Sequence, residues 1–132
     1  MRKVILRTFS KERKKVLEFV EETHGNEKQL LVRTFFEKDG RKIWYPVAKL
    51  RYMPGKENVK ITDLWTKETW RKRGLASSLV TLLKTLENKE IQVIPHKSHR
   101  FYKKLGFEKN RTFSGLFTLP KTKKLKRKIF IR

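Results

Sequence analysis

The chain has 132 residues, of which 35 are Lys or Arg and 13 are Asp or Glu, and its formal net charge is +22 at pH 7. The hydrophobic content of 37% argues against a wholly disordered chain, and the length fits one domain over residues 1–132 with a single modest core. Because the chain contains no Cys, disulfides, thiolate zinc sites and covalent Cys intermediates are excluded.

The charge indicates an anionic partner. Residues 1–60 hold 16 basic and 8 acidic side chains and residues 61–132 hold 19 and 5, so the second half is the more cationic. Such a field favours nucleic acid or ribonucleoprotein, with anionic membrane as a lesser option, and it repels polyamines and aminoglycosides. No apolar run approaches the length of a membrane span, and the N-terminus is too charged for a signal peptide. We therefore expect a cytoplasmic protein.

The N-terminal segment predicts a strand followed by a helix. Residues 3–9 favour a strand, and Ser10 is a suitable N-cap for a helix that would end near His24, with Gly25 at the C′ position. The apolar side of this helix would consist of Val16, Leu17 and Val20.

The next segment predicts a β-hairpin. Apolar runs over residues 30–37 and 42–53 flank the sequence Lys-Asp-Gly-Arg, and Asp39-Gly40 between such runs is typical of a tight hairpin turn. Pro46 lies inside the second run and has no N–H to donate, which indicates an edge position or a β-bulge.

The stretch over residues 59–86 predicts a strand, a basic turn and a helix. Residues 59–66 alternate and are rich in β-branched and aromatic types. After Gly74, leucines recur on one helical stripe, so a helix begins at or just after Arg73-Gly74. The stripe consists of Leu75, Leu79, Leu82, Leu83 and Leu86.

The remaining elements are short. We predict a strand over residues 91–94, a helix over residues 98–105 that is capped by Gly106, and final strands over residues 115–119 and 128–131. The predicted order of elements is β-α-β-β-β-α-β-α-β-β.

The turn at Arg71–Ala76 has two interpretations. Unpaired N–H groups and a partial positive charge at a helix N-terminus, next to cations and small residues, suit a phosphate or pyrophosphate. The alternative is an ordinary helix start with solvated basic side chains. The turn lacks both GxGxxG and GxxxxGK[ST], so neither a dinucleotide fold nor a P-loop is predicted.

Two motifs in this order resemble those of the GNAT superfamily of acetyl-coenzyme A dependent N-acetyltransferases. Arg71-x-x-Gly74-x-Ala76 matches the R/Q-x-x-G-x-G/A signature, and Phe101–Phe107, FYKKLGF, is similar to the family's FYxKLGF segment. The resemblance covers residues 59–107 and implies an α/β (α+β) fold with a mixed, mostly antiparallel sheet flanked by helices. Relative to that fold, one helix is missing or shortened between the first two strands.

The resemblance implies acetyl-coenzyme A as cofactor. The backbone of Leu64, Trp65 and Thr66 would pair with the pantetheine arm, and one of their N–H groups would polarise the thioester carbonyl. The turn would hold the pyrophosphate. Its residues are Arg71, Lys72, Arg73, Gly74, Leu75 and Ala76.

The resemblance also implies that Tyr102 protonates the departing thiolate, the alternative being a core aromatic residue. Asp63 is a candidate general base, although alternation along the strand could point it to the opposite face. Glu68, His96, His99 and a water relay stay open as alternatives. Two His without a nearby carboxylate or Cys do not predict a metal site.

Two functions follow. The first is direct transfer of acetyl from acetyl-coenzyme A to a primary amine on a protein or RNA-associated acceptor. The second is a non-catalytic GNAT-fold protein that binds DNA or RNA. The basic run over residues 121–132 is either a nucleic-acid contact or a solvated loop. Its candidate residues are Lys121, Lys123, Lys124, Lys126, Arg127 and Lys128.

Overall fold

The computed structural model of the chain describes residues 1–125, and one eight-stranded sheet contains most of its elements. The strands are β1 (Arg2–Ser10), β2 (Lys15–His24), β3 (Glu27–Lys38), β4 (Arg41–Pro54), β5 (Asn58–Thr66), β6 (Glu90–Val93), β7 (Glu108–Lys109) and β8 (Phe117–Leu119). The helices are α1 (Leu75–Glu87) and α2 (His99–Leu105), and a single 3₁₀ turn (Glu68–Trp70) precedes α1. The order across the sheet is β1-β2-β3-β4-β5-β6-β8-β7.

The described strand pairs are antiparallel except for β5 and β6, which run parallel. The predicted mixed, mostly antiparallel sheet with flanking helices is therefore confirmed. The predicted strand over residues 128–131 lies outside the described residues. Within residues 1–125, no helix is both long and apolar enough to cross a membrane.

The predicted helix after Ser10 is wrong, because residues 15–24 form β2. Leu17 and Phe19 point to one face of the sheet and Glu18 and Val20 to the other, and all four are buried. β2 pairs with β1 on one side and β3 on the other, so its backbone hydrogen bonds are made to both neighbours. The spacing of apolar residues fitted a helix, but pairing on both sides and β-branched residues favoured a strand.

The proposed helix caps belong to turns instead. Ser10 Oγ accepts a hydrogen bond from the backbone N–H of Arg13 at 3.2 Å in the β1–β2 turn. Gly25 has a φ of +63° in the loop that joins β2 to β3, a conformation that suits glycine. In the described chain no helix separates β1 from β2. These two strands form a β-hairpin at the position where the resemblance to the GNAT fold implied a missing or shortened helix.

The other hairpin prediction is confirmed. Lys38 pairs with Arg41 across the turn, and Asp39 and Gly40 both have positive φ. Pro46 does lie beside a β-bulge, since the register shifts by one residue between Val32 and Arg33.

Helix α1 packs on one face of the sheet. Its N-cap is Gly74 and it begins at Leu75, as the leucine spacing predicted. The leucines of the stripe are buried with β3 and β4 residues such as Leu30 and Leu50, although Leu86 is 41% exposed. Because side chains alternate along a strand, Leu31 and Lys49, the neighbours of these residues, lie on the opposite face.

The shorter elements also match the predictions. β6, α2 and β8 lie within one or two residues of the predicted ranges, and Gly106 ends α2 with a φ of +108°. The predicted hairpin partner of β8 falls outside residues 1–125, and within them β8 pairs with β6 and β7.

Candidate active site

A cleft opens between β5 and β6. The parallel pairing of these strands covers only Asn58–Ile61 of β5, whereas β4 pairs with β5 as far as Thr66. β6 ends at Val93, so in the described chain the β6-facing edge of residues 62–66 has no strand partner. Alternate N–H and C=O groups of this edge are therefore available to an extended ligand. Leu64, Trp65 and Thr66, predicted to contact pantetheine, lie here.

The turn before α1 has the backbone geometry of an anion site. Lys72 has a φ of +62° and Gly74 a φ of +83°, with Arg73 between them. Positive φ at these two nearby residues turns the backbone sharply just before the helix begins. No side chain caps the N-terminus of α1, so the amides of its first turn point outwards. These observations fit a pyrophosphate group.

Arg71 connects this turn to the cleft. Its Nε donates a hydrogen bond to the carbonyl oxygen of Thr66 at 3.4 Å, which places the guanidinium between the end of β5 and the start of α1. Lys72 is exposed at the same end. Both cations therefore lie near the junction between the end of β5 and the turn.

The β1–β2 loop contacts the turn from outside. Arg73 forms an ion pair with Glu12, and Arg13 donates a hydrogen bond to the carbonyl oxygen of Thr69. The Arg13 guanidinium also lies over the Trp70 ring, 4.8 Å from its centroid. Arg73, one of the cations predicted to meet the pyrophosphate, thus already has a carboxylate partner.

Tyr102 is a buried phenol whose pKa depends on its surroundings. Tyr102 is buried on α2 between the rings of Phe101 and Phe107, whose centroids are 5.1 and 5.3 Å from its own. Burial raises the pKa of the Tyr102 phenol well above its usual value, and the Asp63 carboxylate raises it further. Asp63 is exposed at the end of β5 where β6 has stopped.

The alternative bases lie in the 3₁₀ turn, in the loop after β6 and at the start of α2. Glu68 is exposed in the 3₁₀ turn, and His96 is exposed in the loop after β6. The His99 ring is 5.3 Å from the Phe117 ring, which gives it a packing role at the start of α2. Within residues 1–125, no group of His, Asp and Glu could hold a metal ion.

Asp63 also lines a groove on the sheet face opposite α1. The groove has a volume of about 510 Å³ and runs over β3, β4 and β5. It is lined by Arg2, Gln29, Leu31, Pro46, Lys49, Arg51, Asp63, Leu64 and Trp65. Three of these residues are cations and Asp63 is the only acid among them, so the groove combines positive charge with a single carboxylate.

Several of these residues were not predicted. Lys49 lies beside Trp65 only because β4 and β5 pair in this register, and Glu12 reaches Arg73 only because β1 and β2 form a hairpin. The one available signal was alternation of charged and apolar residues over residues 47–52.

Comparison with known proteins bears on the family and the fold. The family described as acetyltransferase (GNAT) domain matches residues 32–109. Among solved structures, Tetrahymena GCN5 is similar with a TM-score of 0.54 and 12% identity, over 68% of this chain and 56% of that one. PaiA N-acetyltransferase from Thermoplasma acidophilum, solved in complex with coenzyme A, has a TM-score of 0.54 and 15% identity, over 70% and 58%.

The chain thus spans a little over half the length of these two structures, and among curated proteins no sequence matches it. The structural likeness, at this identity, reports the fold, and the sequence match covers more than half of the chain. The chain belongs to the GNAT acetyltransferase family.

Proposed function

We propose that the protein is an acetyl-coenzyme A dependent N-acetyltransferase. The observation that supports this proposal is the presence of three features in one domain: the open edge of β5, the turn at Arg71–Ala76 with positive φ at Lys72 and Gly74, and the buried Tyr102 phenol, whose pKa the Asp63 carboxylate raises further. Acetyl-coenzyme A, the cofactor of this family, supplies an acetyl group activated as a thioester.

The turn and the cleft would hold the cofactor. The amides of Arg73, Gly74, Leu75 and Ala76 would donate to its pyrophosphate, with Arg71 and Lys72 adding charge. The edge of β5 at Leu64, Trp65 and Thr66 would pair with the pantetheine amides, and an N–H of this edge would donate to the thioester carbonyl.

Two side chains would act as general acid and general base. The phenol of Tyr102 holds its proton firmly at neutral pH, because burial and Asp63 raise its pKa, and it would donate that proton to a thiolate leaving group. Asp63 lies at the groove and would accept a proton from the acceptor amine, directly or through water.

For the acceptor, we propose a primary amine on a protein or an RNA-associated molecule. The support is electrostatic: the net charge is +22, and Lys49 and Arg51 line the groove near Asp63. A free cationic polyamine would be repelled by the same charges.

The test uses radiolabelled acetyl-coenzyme A with acidic peptides, aminoacylated RNA and spermidine as acceptors. We expect label transfer to an anionic acceptor and little to spermidine. A Tyr102→Phe variant should bind the cofactor and transfer slowly. Equal transfer by this variant, or preference for spermidine, would contradict the assignment.

A second candidate, nucleic-acid binding through the basic run at 121–132, has mixed support. Lys123 forms an ion pair with Glu108 at 2.6 Å, and the carbonyl oxygen of Lys121 accepts a hydrogen bond from Lys84 at 2.6 Å. Lys124 is exposed, whereas Lys126, Arg127 and Lys128 lie outside the described residues. Retardation of tRNA at low salt, and its loss at high salt, tests this function.

A further inference from the structure

The sheet face opposite α1 carries a row of aromatic rings that acetyl transfer does not require. Phe35 and Trp44 are cross-strand partners on β3 and β4, with ring centroids 4.8 Å apart. On the same face, Lys49 of β4 pairs with Trp65 of β5, which is 37% exposed. We call this surface the aromatic face and define it as Arg33, Phe35, Lys42, Trp44, Lys49 and Trp65.

Each ring of the aromatic face has a cation over it. The Arg33 guanidinium lies 4.7 Å from the Trp44 centroid, and Nζ of Lys42 lies 4.8 Å from that of Phe35. Nζ of Lys49 lies 5.7 Å from the Trp65 centroid. Arg33 is held in place by Glu18, which accepts from its Nε at 2.8 Å. The face therefore presents aromatic rings with cations stacked over them, and one of these cations, Arg33, is paired with the buried Glu18 carboxylate.

We propose that the aromatic face binds single-stranded nucleic acid. Unpaired bases stack on aromatic rings and on guanidinium planes that lie over such rings, and the ammonium groups of Lys42 and Lys49 would meet the phosphates. A duplex keeps its bases stacked on each other and offers no base face to a flat sheet. A second copy of this chain is disfavoured, because two bodies of charge +22 repel each other.

The position of the aromatic face supports the proposal that it binds single-stranded nucleic acid. The aromatic face continues into the groove that contains Asp63, since Lys49 and Trp65 belong to both. A bound strand would therefore run towards the proposed site of acetyl transfer. This part rests on the proposed function and would make a nucleic-acid-linked amine the acceptor, whereas binding itself does not require transfer.

The chain contains its own matched control. Phe36 and Tyr45 form a second aromatic pair on the same hairpin but on the opposite face, with centroids 5.8 Å apart and Nζ of Lys67 lying 5.7 Å from the Tyr45 centroid. That face leads to the core beneath α1 rather than to the groove, so stacked bases could not continue along it.

The test measures fluorescence anisotropy of labelled oligouridine and oligothymidine of about 12 nucleotides, without coenzyme, using the full chain. We expect binding of either oligomer, because neither contact reads the 2′-hydroxyl, and weaker binding of a duplex of equal length. Trp44→Leu with Trp65→Leu should weaken binding by about 10-fold to 100-fold. Phe36→Leu with Tyr45→Leu should change it by less than about 3-fold.

Intrinsic fluorescence gives a second readout. Two of the three Trp lie on the aromatic face and Trp70 is buried, so oligouridine should quench most of the accessible emission of the wild type. The inference would be overturned by equal losses of oligonucleotide binding in the two double variants or by tighter binding of the duplex. It would also be overturned if polyglutamate competed for the protein as well as an oligonucleotide does. Acetyl transfer without such binding would refute this inference alone, and binding without transfer would refute only the proposed function.

Discussion

Replacement of Gly74 by Glu should strongly weaken coenzyme binding. Gly74 is the N-cap of α1 with a φ of +83°, so a side chain there costs about 1–2 kcal/mol in backbone energy. It would also place a carboxylate at the amides that we assign to the pyrophosphate. Two unit charges about 5 Å apart repel by roughly 3 kcal/mol at an effective dielectric constant of 20. Screening by Arg71 and Lys72 reduces this, so we expect about 100-fold weaker binding.

The weaker binding can be measured as a smaller coenzyme-induced rise in Tm. At a concentration of coenzyme A about 100 times the dissociation constant, the wild type gains about 2.7 kcal/mol of stability, which raises the Tm of a chain this long by roughly 10 °C. With 100-fold weaker binding, the variant gains about 0.4 kcal/mol and its Tm rises by roughly 1–2 °C above its own baseline.

A Gly74→Asn variant separates charge from backbone strain, since Asn tolerates left-handed backbone and carries no charge. We expect it to keep most of the coenzyme-induced shift. A full shift in Gly74→Glu, or equal losses in the Glu and Asn variants, would show that this turn does not bind the pyrophosphate.

Three further predictions concern protons and charge. Tyr102→Phe should lower turnover about 100-fold or more with an unchanged coenzyme-induced Tm shift, and a loss below about 3-fold would remove Tyr102 as the acid. Burial and, to a lesser extent, Asp63 raise the pKa of Tyr102, so the phenol should stay protonated and wild-type turnover should not decline as the pH rises to about 10. A decline near pH 9 that is absent in Tyr102→Phe would contradict this role of Tyr102. Burial raises the pKa of Glu18, but hydrogen bonds from Arg33 and Arg7 lower it more, so the net shift is downward. The stability that the ionised Glu18 contributes is fully present above about pH 4.3 and is lost as the pH falls through the lower pKa of the folded state. Glu18→Gln should therefore lower the free energy of unfolding in urea at pH 7 by about 1–3 kcal/mol. It should also make stability depend less on pH in the acidic range.

Local signals predicted much of the fold. Asp39-Gly40 specified a hairpin because a tight turn of this type needs two residues with positive φ, and the leucine spacing specified α1 because one helical stripe must face the sheet. Residues 15–24 were mistaken for a helix because their apolar residues fit both periods. The contacts that decided the matter, pairing with β1 and β3, are not local.

The candidate site also has a part that follows from local sequence and a part that depends on contacts between distant residues. The turn at Arg71–Ala76 is a backbone feature of consecutive residues, so its glycine N-cap could be predicted from the motif, whereas its binding of a pyrophosphate stays a prediction. The groove and the aromatic face depend on strand register, which places Lys49 beside Trp65 and Phe35 beside Trp44. A shift of one residue in that register would have turned these side chains to the other face.

The connectivity of the sheet also implies an order of assembly. The strands from β1 to β5 each pair with the next one in sequence, through loops of two to four residues, so little chain entropy is lost in joining them. β5 and β6, by contrast, are joined by residues 67–89, which contain α1. The cleft exists only after β6 has docked beside β5. A folding chain should therefore complete its antiparallel meander before it has any place for a cofactor.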